Sequence, residues 1–432
     1  MAVGPGSSCL PRLPHLTGRG PGLWRGPVAL LASAVLACLS GCAQALPQRP
    51  LVLYLAVSTP SNEPITRELS RTFQGRLEQL VSGFRRLHPN VQVQMALYPE
   101  SQLARQIRQR TRSGLGPDLI ITTADPANAL LRAGLTQPMP LDRSELRAID
   151  PPLLERVTTP EGRVSALPLV LYTQLACFDR RRVAQPPADV RQLLRLSADG
   201  VRVGMALQLR SLVWSAGSLG AVPALQAAAE GRVLDAAQRR GLLNWLRWLQ
   251  SANVQKTVTF LEEESTLREG LRRGRFDWIS CRSSDLPALQ TALGDHLGVA
   301  TLPDGEASHA TPVNPVRVLA LGRDSSGEQR RMAIALARYG VRPLVQRSFV
   351  LENLVFLPVN RYVSVPLVSS RVLTTLVAAR RQGEGVDDLL TRLQSEDPRV
   401  NQLEQVIVAL LFGGIDPEQA LQDSLRILAG RR

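Results

Sequence analysis

From Leu51 onward, short apolar runs alternate with amphipathic segments, and this alternation restricts the fold more than any other feature of the chain. Residues 51–57 form an unbroken apolar run, the type buried on both faces of a sheet. Leu69, Phe73, Leu77, Leu80, Val81, Phe84 and Leu87 then fall mostly at spacings of three and four, which predicts a helix. Pro89-Asn90 stops it, and Val91, Val93, Met95 and Leu97 alternate as a strand does. Residues 103–112 read as helix, Gly114 to Asp118 as a break, and residues 119–123 as a short apolar strand. Asp125-Pro126 predicts a further helix through Arg132, with Asp at the N-cap, Pro at the first helical position and Gly134 just past the end. Strand, helix, strand, helix, strand, helix argues for an α/β layer with a parallel sheet.

The rest of the chain continues in kind. Residues 164–178 are apolar, broken at Pro168, and long enough to cross from one lobe to another. Strands are expected at 201–207, 276–280, 297–302 and 316–321, and helices around 191–196, 212–231, 236–250 and 330–339. The last seventy residues read as helices, with Asp416-Pro417-Glu418 starting the final one. No repeat of solenoid period is present. A length of 432 residues with 44% hydrophobic content suits two to three packed domains and excludes a disordered chain.

Lys+Arg number 51 against 37 Asp+Glu, a formal charge of +14, yet Lys256 is the sole lysine. The arginines are scattered in pairs, and the longest run is Arg180-Arg181-Arg182. No basic block and no basic stripe interleaved with aromatics exists, which argues against nucleic acid as a partner.

Residues 1–41 carry Arg12, Arg19 and Arg25 and no acid, followed by an uncharged apolar run from Pro27 to Leu39. These are the parts of a secretory signal, and the run is shorter than the roughly 20 residues of a membrane-spanning helix. Its end, Leu39-Ser40-Gly41-Cys42, resembles the lipobox of bacterial lipoproteins. That resemblance implies lipidation of Cys42, a tether over 42–50 and a periplasmic or cell-surface protein held to a membrane through its lipid. Of five cysteines only Cys177 and Cys281 then remain, either as a disulfide or as two buried thiols. No C-x-x-C pair exists to support zinc or thioredoxin-type chemistry.

The punctuation of the mature chain resembles the family 1 extracellular solute-binding proteins of ABC transporters, the maltose-binding-protein group. Residues 116–125, Gly-Pro-Asp-Leu-Ile-Ile-Thr-Thr-Ala-Asp, followed by Ala133-Gly134-Leu135, are similar to the family's second ligand loop. Residues 162–168 resemble the turn before the interlobe crossover, residues 268–280 the helix and strand before a cleft loop, residues 298–303 the strand before the return crossover, and residues 416–421 the start of the last helix. The resemblance covers about 380 residues and rests on their order and spacing.

It implies a two-lobed periplasmic-binding-protein fold of type II, each lobe a mixed sheet flanked by helices, with solute held between the lobes. The expected division is lobe 1 at 51–167, lobe 2 at 168–315, a return to lobe 1 at 316–362, and C-terminal helices at 363–432 packing on lobe 2. The implied function is capture of a sugar, glycoside or polyol and its delivery to the permease subunits of an importer, by a monomer without cofactor or metal.

Asp125 is the first candidate for ligand contact, because the matching Asp of the family accepts hydrogen bonds from sugar hydroxyls. Thr122 and Thr123 share its loop. Thr59 and Glu63 match the first ligand loop, and Tyr172 stands where the crossover enters the cleft. Arg210, Ser211 and Trp214 belong to the second lobe, with Trp214 a platform for a sugar face or a core residue. Arg282 and Ser283 follow the strand expected at 276–280, and Asn314 lies near the return crossover. Arginine forks bind carboxylate and phosphate, so Arg210 and Arg282 leave open an anionic polyol such as glycerol 3-phosphate, or a sugar acid. An enzyme is disfavoured: the four histidines include no H-x-x-x-H pair, and neither a phosphate loop nor a nucleophile elbow is present. A glycoside-acting enzyme would need two carboxylates across a cleft, and Asp125 has no second member legible in the sequence. The acid run Glu262-Glu263-Glu264 reads as a solvated helix start.

Overall fold

The computed structural model describes residues 50–59, 65–393 and 397–430. Glu63 and Cys42 lie outside the described residues.

The chain opens with β1 (Leu51–Thr59), the helix Arg67–Leu87, β2 (Val91–Pro99), the helix Glu100–Arg112 and β3 (Leu119–Thr123). β1 pairs in parallel with β2 from Leu51↔Val91 to Thr59↔Pro99, and in parallel with β3 on its other edge. β4 (Thr136–Gln137) and β5 (Leu167–Leu171) follow. The chain then leaves for a second sheet, made of β6 (Gln174–Asp179), β7 (Val203–Ala206), β8 (Val258–Leu261), β9 (Trp278–Arg282) and β10 (Leu297–Ala300) in the order β10-β6-β9-β7-β8. It returns through β11 (Val316–Gly322), antiparallel to β3, β4 and β5, and ends the first sheet with β12 (Leu357–Pro358). The result is a seven-stranded and a five-stranded mixed sheet, each flanked by helices. Among the described residues no helix is long and apolar enough to cross a membrane.

The expected lobe boundary at 167/168 falls later. β5 pairs with β11 and β12, so residues 167–171 belong to the first sheet, and the chain crosses at Tyr172–Thr173. Pro168 is tolerated there because the β5–β11 register shifts beside it, and an irregular ladder does not require its missing N–H. The C-terminal helices are not all on the second lobe either. Leu373, Leu376 and Ala379 of the helix Arg371–Gln382 pack in the same core as Val355, Phe356 and Leu357, and this helix touches β12 of the first sheet and β6 and β10 of the second. Val386, Leu389, Val400, Leu403, Ile407, Leu410 and Leu421 join the core of the second lobe around Trp214, Trp245 and Trp278.

Cys177 and Cys281 form a disulfide with Cα atoms 5.8 Å apart, joining β6 to its neighbour β9. The strand expected at 276–280 is shifted to 278–282, because Asp277 is held outside it: its carboxylate accepts from the Arg202 guanidinium at 2.6 and 3.0 Å.

Candidate functional site

Parallel strands deliver their C-terminal ends to one rim of each sheet, and loops and helix starts at that rim carry the exposed polar groups. In the first lobe this rim holds Thr59, Pro99 and Thr123, the last residues of β1, β2 and β3. In the second it holds the start of the helix Leu209–Ser218 after β7 and the end of β9. A cavity of about 120 Å³ lies between the two rims. The first lobe contributes Glu100, Thr123, Asp125, Asn128 and Arg156. The second contributes Gln174, Arg210, Ser211, Glu264 and Arg282, and the return crossover Val313, Asn314 and Pro315 forms its floor.

The helix that carries Asp125 runs Ala124–Arg132. Its N-cap is Thr123, so Asp125 sits inside the first turn and does not cap. Its carboxylate is thereby free to point across the cleft, where Arg210 Nη2 donates to Oδ2 at 2.5 Å. Arg210 Nη2 also lies 3.4 and 3.2 Å from the Leu390 and Leu393 carbonyls. Arg210 Nε is buried with no partner among the described residues.

A second cluster surrounds Arg282. Its Nε lies 2.6 Å from Glu264 Oε2, and Ser211 Oγ donates to Glu264 Oε1 at 2.5 Å. Burial would lower the Arg282 pKa, but the Glu264, Asp285 and Glu100 carboxylates hold it above the ordinary value, so the guanidinium stays charged. Glu264, expected to be a solvated helix residue, is therefore a wall of the cavity.

Glu100 faces these groups from the first lobe. Its Oε2 accepts from Ser58 Oγ and Thr123 Oγ1, each at 3.2 Å. Behind it Arg317 is buried and donates to the Ser58 carbonyl at 2.7 Å, Ser58 Oγ at 3.0 Å and the Ile121 carbonyl at 3.1 Å. Burial pushes the Arg317 pKa down, with Glu100 and Tyr172 opposing and Arg76 adding to the fall. Asn314 forms part of the floor. Its carbonyl accepts from Arg156 Nη1 at 2.6 Å, and its buried Oδ1 has no partner among the described residues. Gln174, at the start of β6, ties the floor together: Nε2 donates to the Ser211 carbonyl and Oε1 accepts from Val313 N–H.

Thr123, Asp125, Arg210, Ser211, Arg282 and Asn314 thus converge on one cavity. Five other expected residues do not line it. Thr59 is fully buried, with Oγ1 3.5 Å from the Tyr98 carbonyl. Thr122 is fully buried beneath Ser58, because successive residues of a strand point to opposite faces and Thr123 takes the cleft side. Tyr172 sits edge-on to Phe356 and accepts a 3.4 Å hydrogen bond from Arg76. Ser283 directly follows β9, and its Oγ accepts from the N–H of the crossover residue Thr173 at 3.0 Å. Trp214 is a core residue: it is fully buried, with ring centroids 6.1 Å from Trp248 and 6.3 Å from Trp278.

Glu100, Arg156, Gln174, Glu264 and Arg317 were not anticipated. Glu100 directly follows a strand end, the same signal that marks Thr59 and Thr123, and was legible on that ground. Of the others, Gln174 begins β6 after the crossover, Glu264 begins the helix Glu264–Arg272, Arg156 caps the end of the helix Pro151–Glu155 and Arg317 lies within β11, and none of these places carries a local pattern. Among the described residues no cluster of His, Cys, Asp or Glu suits a metal ion.

No family model matches the sequence, and no curated protein matches it. Solved structures do match. The GacH receptor of Streptomyces glaucescens, solved unliganded and in complex with acarbose, superimposes with a TM-score of 0.67 at 16% identity, covering 88% of this chain and 99% of that one. The maltodextrin-binding protein MalE1 of L. casei, without ligand, gives 0.66 at 15% identity, covering 88% and 98%. An ABC transporter solute-binding protein of Thermotoga lettingae bound with α-D-tagatose gives 0.64 at 14% identity, covering 88% and 99%. Nearly the whole of each neighbour is matched, so the architecture shared is both lobes and the crossover between them, and the chain has the two-lobed fold of these solute-binding proteins.

Proposed function

We propose that this chain is the solute-binding component of an ABC importer, and that it captures a small hydrophilic solute of the sugar or polyol kind in the cleft between its lobes. The observation that carries this reading is the cavity bounded by both lobes and their crossover and lined by the polar side chains of Thr123, Asp125, Arg210, Ser211, Arg282 and Asn314. A hydroxyl group both donates and accepts, and so suits a lining that offers carboxylate acceptors and guanidinium donors together. Closure of two lobes on a solute couples binding to the outer shape, and a permease can favour the closed shape over the open one. The sugar ligands of the structural neighbours support the ligand class, and the lipobox-like Cys42 supports a membrane tether. In this reading the protein performs no chemistry.

Thermal melting of the purified protein against sugars, polyols and phosphate esters tests it. A solute at 100 times its dissociation constant stabilises by about 2.7 kcal/mol. Absence of any shift across the panel refutes the reading. Arg210 and Arg282 both line the cavity and favour an anionic polyol or sugar acid as a second reading. Binding of an anion weakens as salt rises, whereas binding of a neutral sugar barely changes. Loss of membrane association in Cys42→Ser tests the tether.

A further inference from the structure

The first lobe has two ends. Its rim, where β1, β2 and β3 finish, borders the cavity, and its base lies where Leu51, Val91 and Leu119 begin the same strands. β1 is nine residues long, which sets base and rim about 30 Å apart. The helices Arg67–Leu87 and Glu100–Arg112 end at the base, and Gly327–Gly340 starts there, with Gln329 Nε2 on the Val52 carbonyl at 3.0 Å.

The base is basic and carries exposed leucines. Arg86, Arg112, Arg330 and Arg331 stand at this end with no ion pair among the described residues. Arg132 closes the helix Ala124–Arg132 at the same end, and Arg85 pairs with Glu78. Arg110 Nε donates to the Leu115 carbonyl at 3.2 Å, and Arg323 donates to the Gly134 carbonyl at 3.1 Å. The acids here are Asp118, which is buried and accepts from Tyr54 N–H, and the exposed Asp324 and Glu328. Leu87 ends the helix Arg67–Leu87 and Leu115 follows Glu100–Arg112; they are 58% and 63% exposed.

A cation in the last turn of a helix complements the helix dipole, which accounts for Arg86 and Arg112. It does not account for Arg330 and Arg331, which stand near the start of Gly327–Gly340, where a cation is disfavoured. Nor does it account for leucines turned to water. Arg331 also lines a groove with Leu87, His88, Arg338 and Arg342. Arg338 is held by Glu145 at 2.6 Å and Arg342 lies over the Tyr339 ring at 5.6 Å, so Arg331 is the guanidinium there with no partner.

The chain enters the fold at this end. Leu51 N–H donates to the Asn90 carbonyl at 2.8 Å, close to Leu87 and His88. The eight residues from Cys42 to Pro50 span at most about 29 Å. A lipid on Cys42 would therefore hold the base, rather than the rim, next to a bilayer. Guanidinium groups with apolar tips between them match a phospholipid surface, where phosphates and acyl chains lie at successive depths. Nucleic acid would leave the leucines in water.

We propose that the base of the first lobe docks on an anionic phospholipid membrane, with Arg86, Arg112 and Arg331 on the phosphates and Leu87 and Leu115 at the acyl boundary. The rim, at the other end, then faces away from the bilayer and stays open to solute. The attraction is electrostatic and reversible, so the lobe is free to leave the surface and meet a permease. The proposal does not depend on which solute fills the cleft.

Flotation of the purified chain with vesicles of phosphatidylglycerol and phosphatidylcholine in equal parts, and with vesicles of phosphatidylcholine alone, tests it. A Cys42→Ser background removes lipidation from the comparison, and any attachment through the apolar run 27–39 is common to both vesicles. The expected result is about tenfold or more tighter binding to the anionic vesicles at about 0.01 M salt, lost at about 1 M, where the screening length falls from about 30 Å to about 3 Å. Each basic residue near an anionic surface is worth roughly fivefold in affinity, so Arg86→Gln, Arg112→Gln and Arg331→Gln together should remove about tenfold or more. Arg239→Gln, Arg240→Gln and Arg275→Gln together, an equal loss of charge on the second lobe, should leave the preference nearly unchanged. Equal binding to the two vesicles overturns the proposal. So does a preference that survives in the base variant, or one that falls equally in the second-lobe variant, because it then comes from the signal segment or from net charge. If the base variant does not fold, its three single changes, each expected to cost roughly fivefold, decide in its place. None of these outcomes alters the thermal shift with solutes, so the reading of the cleft stands or falls separately.

Discussion

Asp125→Asn is predicted to loosen the unliganded cleft. The Asp125–Arg210 pair is the direct charge contact between the two rims, and its side chains are only 21% and 27% exposed. Two unit charges about 4 Å apart attract by about 4 kcal/mol at an effective dielectric constant of 20. Much of that is offset by the loss of water around both groups on closure. Asparagine keeps a hydrogen-bond acceptor of the same shape, and Arg210 keeps the Leu390 and Leu393 carbonyls. The net loss expected is about 1–2 kcal/mol, roughly a tenfold fall in the ratio of closed to open molecules. Energy transfer between fluorophores placed one on each lobe reads that ratio directly, and small-angle scattering reads it as a rise in radius of gyration. Arg210→Gln should open the cleft similarly, and the double variant should add little, because the second change removes a contact already lost. Equal transfer in wild type and Asp125→Asn, or simple additivity in the double variant, refutes the argument that this pair holds the rims together.

Four further outcomes follow from the packing. Trp214→Ala should cost about 3–5 kcal/mol in urea unfolding, while Trp214→Phe leaves solute affinity unchanged; an affinity loss in a folded Trp214→Phe protein would return this residue to the site. Arg317→Met removes the guanidinium bonds to the Ser58 and Ile121 carbonyls and should cost about 2–4 kcal/mol by the same assay. Reducing the Cys177–Cys281 disulfide opens a loop with a sequence separation of 104, and chain entropy alone predicts a loss of up to about 4–5 kcal/mol, read as a fall in melting temperature. Burial would raise the Asp277 pKa, but Arg202 and Arg182 hold it below the ordinary value, and Arg181 and Arg399 do the same for Asp179 and Asp397. Their stabilisation is present above the unfolded carboxylate value of about 3.9 and disappears as pH falls below it, so Asp277→Asn should flatten the acid limb of melting temperature against pH.

The parts of this protein written locally were legible in its sequence. Burial on one or both faces imposes a period of 2 or 3.6, so β1, β2, β3 and β11 and the helices after β1 and β2 stand within a few residues of where their apolar spacing puts them. Asp416 caps the last helix through Gln419 N–H, as its position beside Pro417 indicates, because a cap is decided within four residues. The order of strands and helices then restricts the architecture to α/β. Local rules failed wherever a distant group competed. Asp125 has every mark of an N-cap, yet Thr123 begins that helix and the carboxylate goes to Arg210, 85 residues away. Trp214 is an aromatic near the cleft in sequence and a core residue in space, because Trp248 and Trp278 from two other elements close over it. Glu264 looks like one of three solvated acids until Arg282 and Ser211 are placed beside it. The sequence by itself determined which segments are strands and helices, since that depends on neighbours a few residues apart. Only the tertiary structure decided which charges oppose each other across the cleft, since an ion pair or a buried ring is fixed by how two lobes are brought together, and no local period records that.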